Sequence, residues 1–159
     1  MAQEEVFDTR DRTYSAWHRR MSTQRFVGIE VAQTLAMIDL DGALFVEYDD
    51  GSKEPLALIE TAMDIGQAFK PASVTRNLAR RCTPVLPAYV LLYKLSDDAN
   101  PCASGFRDIS QFRYRRIWPE PATTWEIVTP GQWAEMLVKL RGWTAKYVDR
   151  MIDATAVTA

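Results

Sequence analysis

"MIDLDGALFVEYDDGSKEPLALIETAMD", residues 37–64, decides the fold. Two aliphatic runs flank Asp49-Asp50-Gly51-Ser52. Asp-Gly supplies the positive φ values that a tight hairpin turn needs. The expected structure is therefore a strand within 34–48, a turn at 49–52 and a return strand over 54–62. Acidic residues stand where such strands should be apolar: Asp39 and Asp41 interrupt the first run, and Glu60 ends the second. With Asp50 and Gly51 as the two turn residues, Asp49 faces Ser52. Counting outward then sets Asp41 opposite Glu60 and Asp39 opposite Ala62. Directly opposed residues of an antiparallel pair share a face, with Cβ atoms about 4.5–5.5 Å apart. Two carboxylates that close repel, and a divalent cation turns the repulsion into a binding site. Hard oxygen donors of this kind suit Mg²⁺ or Mn²⁺. A slip of one residue would destroy the coincidence. The competing explanation is that the acids lie on the solvent face of an antiparallel sheet and need no metal. Asp39, Asp41 and Glu47 share their face with Met37 and Phe45, so that face is mixed.

The flanking segments extend the pattern. Residues 8–21 carry Tyr14, Trp17 and Met21 at helical spacing among arginines, which predicts a helix. Segment 24–33 is β-rich in composition. "KPASVTRNLARRC", 70–82, predicts a helix from Pro71 with Val74, Leu78 and Cys82 on one face, stopped by Pro84 and Pro87. "AYVLLYKL", 88–95, is a continuous apolar run suited to a strand covered on both faces. "ISQFRYRRIW" predicts a further strand, and "TTWEIV" follows Pro119 and Pro121. Thr129 as N-cap and Pro130 at the first helical position open a last helix. Trp133, Leu137 and Leu140 should face inward there, and Gly142 should end or kink that helix before 143–152. The order predicts an α/β fold, a mixed central β-sheet flanked by helices. One domain over 1–159 is expected, with a core at about 10–95 and a C-terminal strand and helix at about 105–153.

Composition bounds the function. The chain has 159 residues, is 47% hydrophobic and carries a formal net charge of -2. That length can build a proper core, and that charge is not the charge of an indiscriminate polycation. The two cysteines, Cys82 and Cys102, form no CxxC and have no histidine partner. They make neither a zinc pattern nor a disulfide framework, so a reducing cytoplasm is expected. With His18 as the one histidine, a multi-histidine metal site is excluded. "MAQEEVFDTRDR" has no apolar signal region and no window is apolar enough to span a bilayer, so no membrane association is expected. GxGxxG, P-loop and nucleophile-elbow motifs are absent, which leaves a metabolic enzyme without support.

The basic residues cluster. Lys70, Arg76, Arg80 and Arg81 give the 71–82 helix a cationic side. In "FRYRRIW", strand alternation puts Arg113 and Arg115 on one face. Arg76, Arg80, Arg113 and Arg115 are the candidate nucleic-acid or partner-binding residues: arginines hold phosphates and neighbouring aromatics stack on bases. The plainer alternative is an amphipathic strand and helix with solvated charges. The tryptophans fit core or interface anchors better than a ligand cage.

Helix, acid-bearing strand, hairpin and a strand of aliphatic residues before Glu60 ("LALIETA") resemble the PD-(D/E)xK nuclease superfamily. "YSAWHRR" before "IDLD" is similar to its small phage and prophage members. The resemblance covers about residues 10–95. It implies a restriction-endonuclease-like fold, Mg²⁺ or Mn²⁺ held by Asp41 and Glu60 with Asp39 as auxiliary or rival ligand, and DNA as substrate. It also implies a lysine two residues after the glutamate, where this chain has Ala62. Lys70 is the candidate for a migrated catalytic lysine, with Asp41 and Glu60 as its catalytic partners. Without the motif lysine, the first expectation is a weak or inactive nuclease-fold protein that acts by binding DNA or a nucleoprotein complex, with no cofactor. Alternatives are an active Mg²⁺-dependent endonuclease or exonuclease, and a phage-encoded inhibitor of a host nucleoprotein complex. A homodimer is compatible with either.

Overall fold

The computed structural model describes residues 17, 22–35, 41–82 and 85–158, with side chains described as far as Ala154. The chain divides into two compact units, Met1–Asp39 and Leu40–Ala159. In the first, segment 24–33 is helical rather than β: α1 spans Gln24–Val27 and α2 spans Ile29–Ala32. Gly28 separates them at φ 84. The β-branched residues here are too few and too interrupted by Glu and Gly to hold an extended run. Trp17, the one described residue of the 8–21 segment, is helical and stacks on Phe26 with ring centroids 6.4 Å apart.

The second unit holds a five-stranded mixed sheet in chain order. Its strands are β1 (Gly42–Glu47), β2 (Lys53–Met63), β3 (Ala88–Ala99), β4 (Arg107–Trp118) and β5 (Glu126–Val128). β2 and β3 run parallel, and every other neighbouring pair is antiparallel. The parallel step needs a crossover, supplied by α3 (Ser73–Arg80). After β5 comes α4 (Pro130–Thr158), a single helix of 29 residues. Thr129 and Gln132 open it reciprocally: the Gln132 N–H donates to Thr129 Oγ1 at 3.1 Å, and the Thr129 N–H donates to Gln132 Oε1 at 2.9 Å. That is a capping box.

α3 and α4 cover opposite faces. The α3 side packs Leu58, Val90, Leu92 and Ile117 with Ala79, and the α4 side packs Ala57 and Tyr89 with Leu140. Alternation along each strand produces this division. Trp133 is buried on the α4 side, its ring centroid 5.3 Å from Tyr114 and 6.1 Å from Phe112. Two expectations fail. Gly142 does not end α4, because one glycine costs only about 1 kcal/mol in a helix, and Leu140, Thr144 and Val148 are buried on either side of it. Val74 and Leu78 do not form the inner face of α3. They are 50% and 41% exposed, and the buried line is Thr75 and Ala79. Small residues there let the helix sit close over a sheet that already carries large side chains.

The hairpin turns where expected but by another route. Tyr48 and Ser52 close it: the Tyr48 N–H donates to the Ser52 carbonyl and the Gly51 N–H to the Tyr48 carbonyl, both at 2.9 Å. The loop is therefore Asp49-Asp50-Gly51, with Gly51 at φ 82. Near the tip, Glu47 pairs with Lys53, one residue out of the expected count. A bulge between Leu44 and Phe45 then absorbs Leu56, and Gly42 pairs with Ile59 as the count requires. Two errors cancel before the acidic end is reached.

Candidate active site

Strand pairing is recorded as far as Gly42↔Ile59, and Asp41 and Glu60 each stand one residue beyond that pair. Asp41 Oδ2 accepts the Thr61 N–H at 2.9 Å, which anchors that carboxylate beside the strand position next to Glu60. Asp39 lies outside the described residues, and the same is true of His18.

Glu60 points to the α3 side with Leu58 and Ala62. It is 8% exposed, and a carboxylate so placed must have partners. It has two. Thr75 Oγ1 on α3 donates to Glu60 Oε2 at 2.7 Å, and Lys70 Nζ lies 3.2 Å from Glu60 Oε1. Lys70 thus approaches Glu60 from the segment before α3, while Ala62 packs against the hydrophobic core. Thr75 escaped the sequence reading. Its only signal was a polar residue between the positions assigned to the helix's apolar face.

The segment that carries Lys70 is clamped by Arg113 of β4 and by Trp125 just before β5. Arg113 Nε and Nη2 donate to the two oxygens of Asp64 at 2.9 and 2.8 Å, and Nη2 also reaches the Gln67 carbonyl at 2.6 Å. Trp125 Nε1 donates to the Ala68 carbonyl at 3.0 Å. The Gly66 N–H donates to Asp64 Oδ1, and the Ile65 N–H to Gln67 Oε1. The Asp64 carboxyl is held below its ordinary range, first by its hydrogen bonds from Arg113. Asp64 was unassigned in the sequence because its partner lies two strands away.

Arg113 and Arg115 do share a face, as alternation predicted: the guanidinium carbons lie 4.6 and 5.2 Å from the Trp125 ring centroid. Their situations differ. Arg113, expected as a binding residue, is paired with Asp64. Arg115 has no carboxylate among the described residues. It rests against Trp125 and, at 5.1 Å, against Phe69, and its Nε is buried without an acceptor. Arg76 and Arg80 are exposed on α3 without an ion-pair partner among the described residues.

No group of three or more His, Cys, Asp or Glu side chains placed to hold a metal occurs among the described residues, and none of the described helices is long and apolar enough to cross a membrane. No family model matches this chain, and neither a curated protein nor a solved structure resembles it closely enough to count as a match.

Proposed function

We propose that this chain is a slow, divalent-metal-dependent DNA phosphodiesterase of the PD-(D/E)xK kind, with a restriction-endonuclease-like fold and Lys70 in the role the motif assigns to a lysine at Ala62. The observation that carries the reading is the Lys70 ammonium 3.2 Å from the Glu60 carboxylate. A hairpin, a crossover helix and a strand parallel to the second hairpin strand support it, as does the Gly42↔Ile59 pair, which leaves Asp41 and Glu60 as the next residues of their strands. Asp41 and Glu60 would hold Mg²⁺ or Mn²⁺. The donor set fits, since Mg²⁺ is commonly bound by one or two carboxylates and keeps several waters. Such an ion polarises a phosphoryl oxygen and lowers the pKa of a bound water. Lys70 contributes a positive charge in a partly dry position, one-quarter exposed, where it opposes the negative charge that builds on the phosphate. Thr75 holds the other Glu60 oxygen and fixes the carboxylate's orientation.

A second reading has its own observation. Both Glu60 oxygens are already engaged, so the carboxylate is satisfied without metal. That favours a nuclease-fold protein acting by binding alone, on DNA or a nucleoprotein complex. The deciding experiment is cleavage of end-labelled and circular DNA in Mg²⁺ or Mn²⁺ against a chelated control. The expected result is slow metal-dependent hydrolysis, abolished by Glu60→Gln and reduced about 10²–10⁴-fold by Lys70→Ala. DNA binding without any turnover by the wild-type protein establishes the second reading instead.

A further inference from the structure

Beside Lys70, at the start of α3, lies a cavity of about 470 Å³, within the range of small-molecule sites. Lys70, Arg76 and Arg115 line it. Lys70 is shared with Glu60, but the other two arginines lack a carboxylate among the described residues. Two uncompensated guanidiniums around one cavity repel each other, a cost that an anion removes. Arg115 is also immobilised between Phe69 and Trp125, so little side-chain entropy remains to be lost on binding. α3 starts at the cavity wall: Ala72, its N-cap, gives no side-chain hydrogen bond, and Ala72 and Ser73 line the cavity. The first N–H groups of a helix have no intrahelical acceptor, and here no cap takes them. The remaining wall is apolar, with Ile117 and Pro121, and Phe69 is 60% exposed at its rim.

We infer that this cavity binds a phosphate monoester carried by a nucleoside, the phosphate on Arg76, Arg115 and the start of α3, the ring against the apolar wall and Phe69. Charge and donors suit a compact, doubly charged oxyanion, and the exposed aromatic suits a flat ring. Two sources share that chemistry: a free nucleoside monophosphate and the phosphorylated end of a strand. The inference rests on the nuclease reading for the strand end, which would make a terminus rather than an internal site the preferred point of attack. Binding at the cavity itself needs neither metal nor turnover.

The test is calorimetric titration of the full chain, metal chelated, with four probes: deoxyadenosine 5′-monophosphate, deoxyadenosine, and one oligonucleotide with and without a 5′-phosphate. The phosphorylated member of each pair should bind about tenfold or more tightly, as expected for added charge-assisted hydrogen bonds. Preference in the oligonucleotide pair alone identifies the strand end; preference in the nucleoside pair as well identifies a mononucleotide site. Arg76→Gln, at an exposed position that folding does not need, should erase the preference, and Arg115→Gln should do the same. Equal affinity within both pairs, or a preference that survives Arg76→Gln and Arg115→Gln, overturns the inference. A failed binding test with metal-dependent cleavage intact removes this cavity and leaves the proposed activity standing.

Discussion

The two faces of the sheet are built on opposite plans. Between α4 and the sheet, Ala57 and Tyr89 meet Leu140 of the helix, and the helix's Trp133 ring packs at a tilt against Tyr114 and Phe112. Under α3, the same sheet carries Leu58, Val90 and Leu92 at one end. At the other end Glu60 meets Lys70 and Thr75 of the α3 segment, and Arg113 of β4 meets Asp64. The α4 face demonstrates that this sequence can close a sheet with hydrocarbon and aromatic rings. Burying charges costs several kcal/mol per ion before pairing returns it, and apolar replacements of similar volume are often neutral or stabilising. The ions of the α3 face are thus not the cheapest way to hold α3 down. Their arrangement fits the site proposed at the open end of that face.

Substitutions on the two faces test this contrast. The largest effect belongs to the apolar face. Trp133→Ala should lower stability by about 3–5 kcal/mol, measured by chemical denaturation, and leave the metal response of the remaining folded protein intact. On the polar face the clamp comes next. Arg113→Gln strands the Asp64 carboxylate, whose side chain is 5% exposed, and should cost about 3 kcal/mol. The same pair sets an acid dependence. The folded Asp64 carboxyl titrates below its ordinary value near 4. Its contribution is therefore complete above that value and fades as pH falls through the depressed folded one. Asp64→Asn should flatten the acid limb of the stability curve. An unchanged limb would assign the acid sensitivity elsewhere.

The smallest effect on stability is the most informative. Exchanging the ion pair for hydrocarbon, Glu60→Leu with Lys70→Met, makes the α3 face resemble the α4 face. Stability should stay within about 1 kcal/mol of wild type or rise, while any metal response and DNA cleavage vanish. Loss of folding in that double variant would mean that the ions are structural, and the contrast between the faces would lose its functional meaning.

How much of this was legible in the sequence follows from the range over which each signal acts. The Asp-Gly turn and the Thr129 cap are local, and both elements stand where expected. The Gly42↔Ile59 register was legible only because the longer loop at Gly51 and the bulge at Leu56 offset each other; the side-chain pattern of the strands demands that parity even when the turn changes. Segment 24–33 misled because a weak strand composition was not weighed against Gly28. In α3 the spacing of Val74 and Leu78 was helical, but the sheet below has room only for Thr75 and Ala79. The pairs Lys70–Glu60 and Arg113–Asp64 were invisible, since each depends on a crossover that brings distant segments together. Lys70 was reachable as a candidate only through the missing lysine at Ala62.

A metal centre of Asp41 and Glu60, with Lys70 at its edge, would need both carboxylates to hold its ion. Calorimetric titration of Mn²⁺ into the wild-type protein, Asp41→Asn and Glu60→Gln tests it without any assumption about substrate. The account predicts one binding event in the wild type that is lost in both variants, and a tighter one in Lys70→Ala, where the competing ammonium is gone. Absence of Mn²⁺ binding in the wild type, or binding that persists in both carboxylate variants, would contradict it.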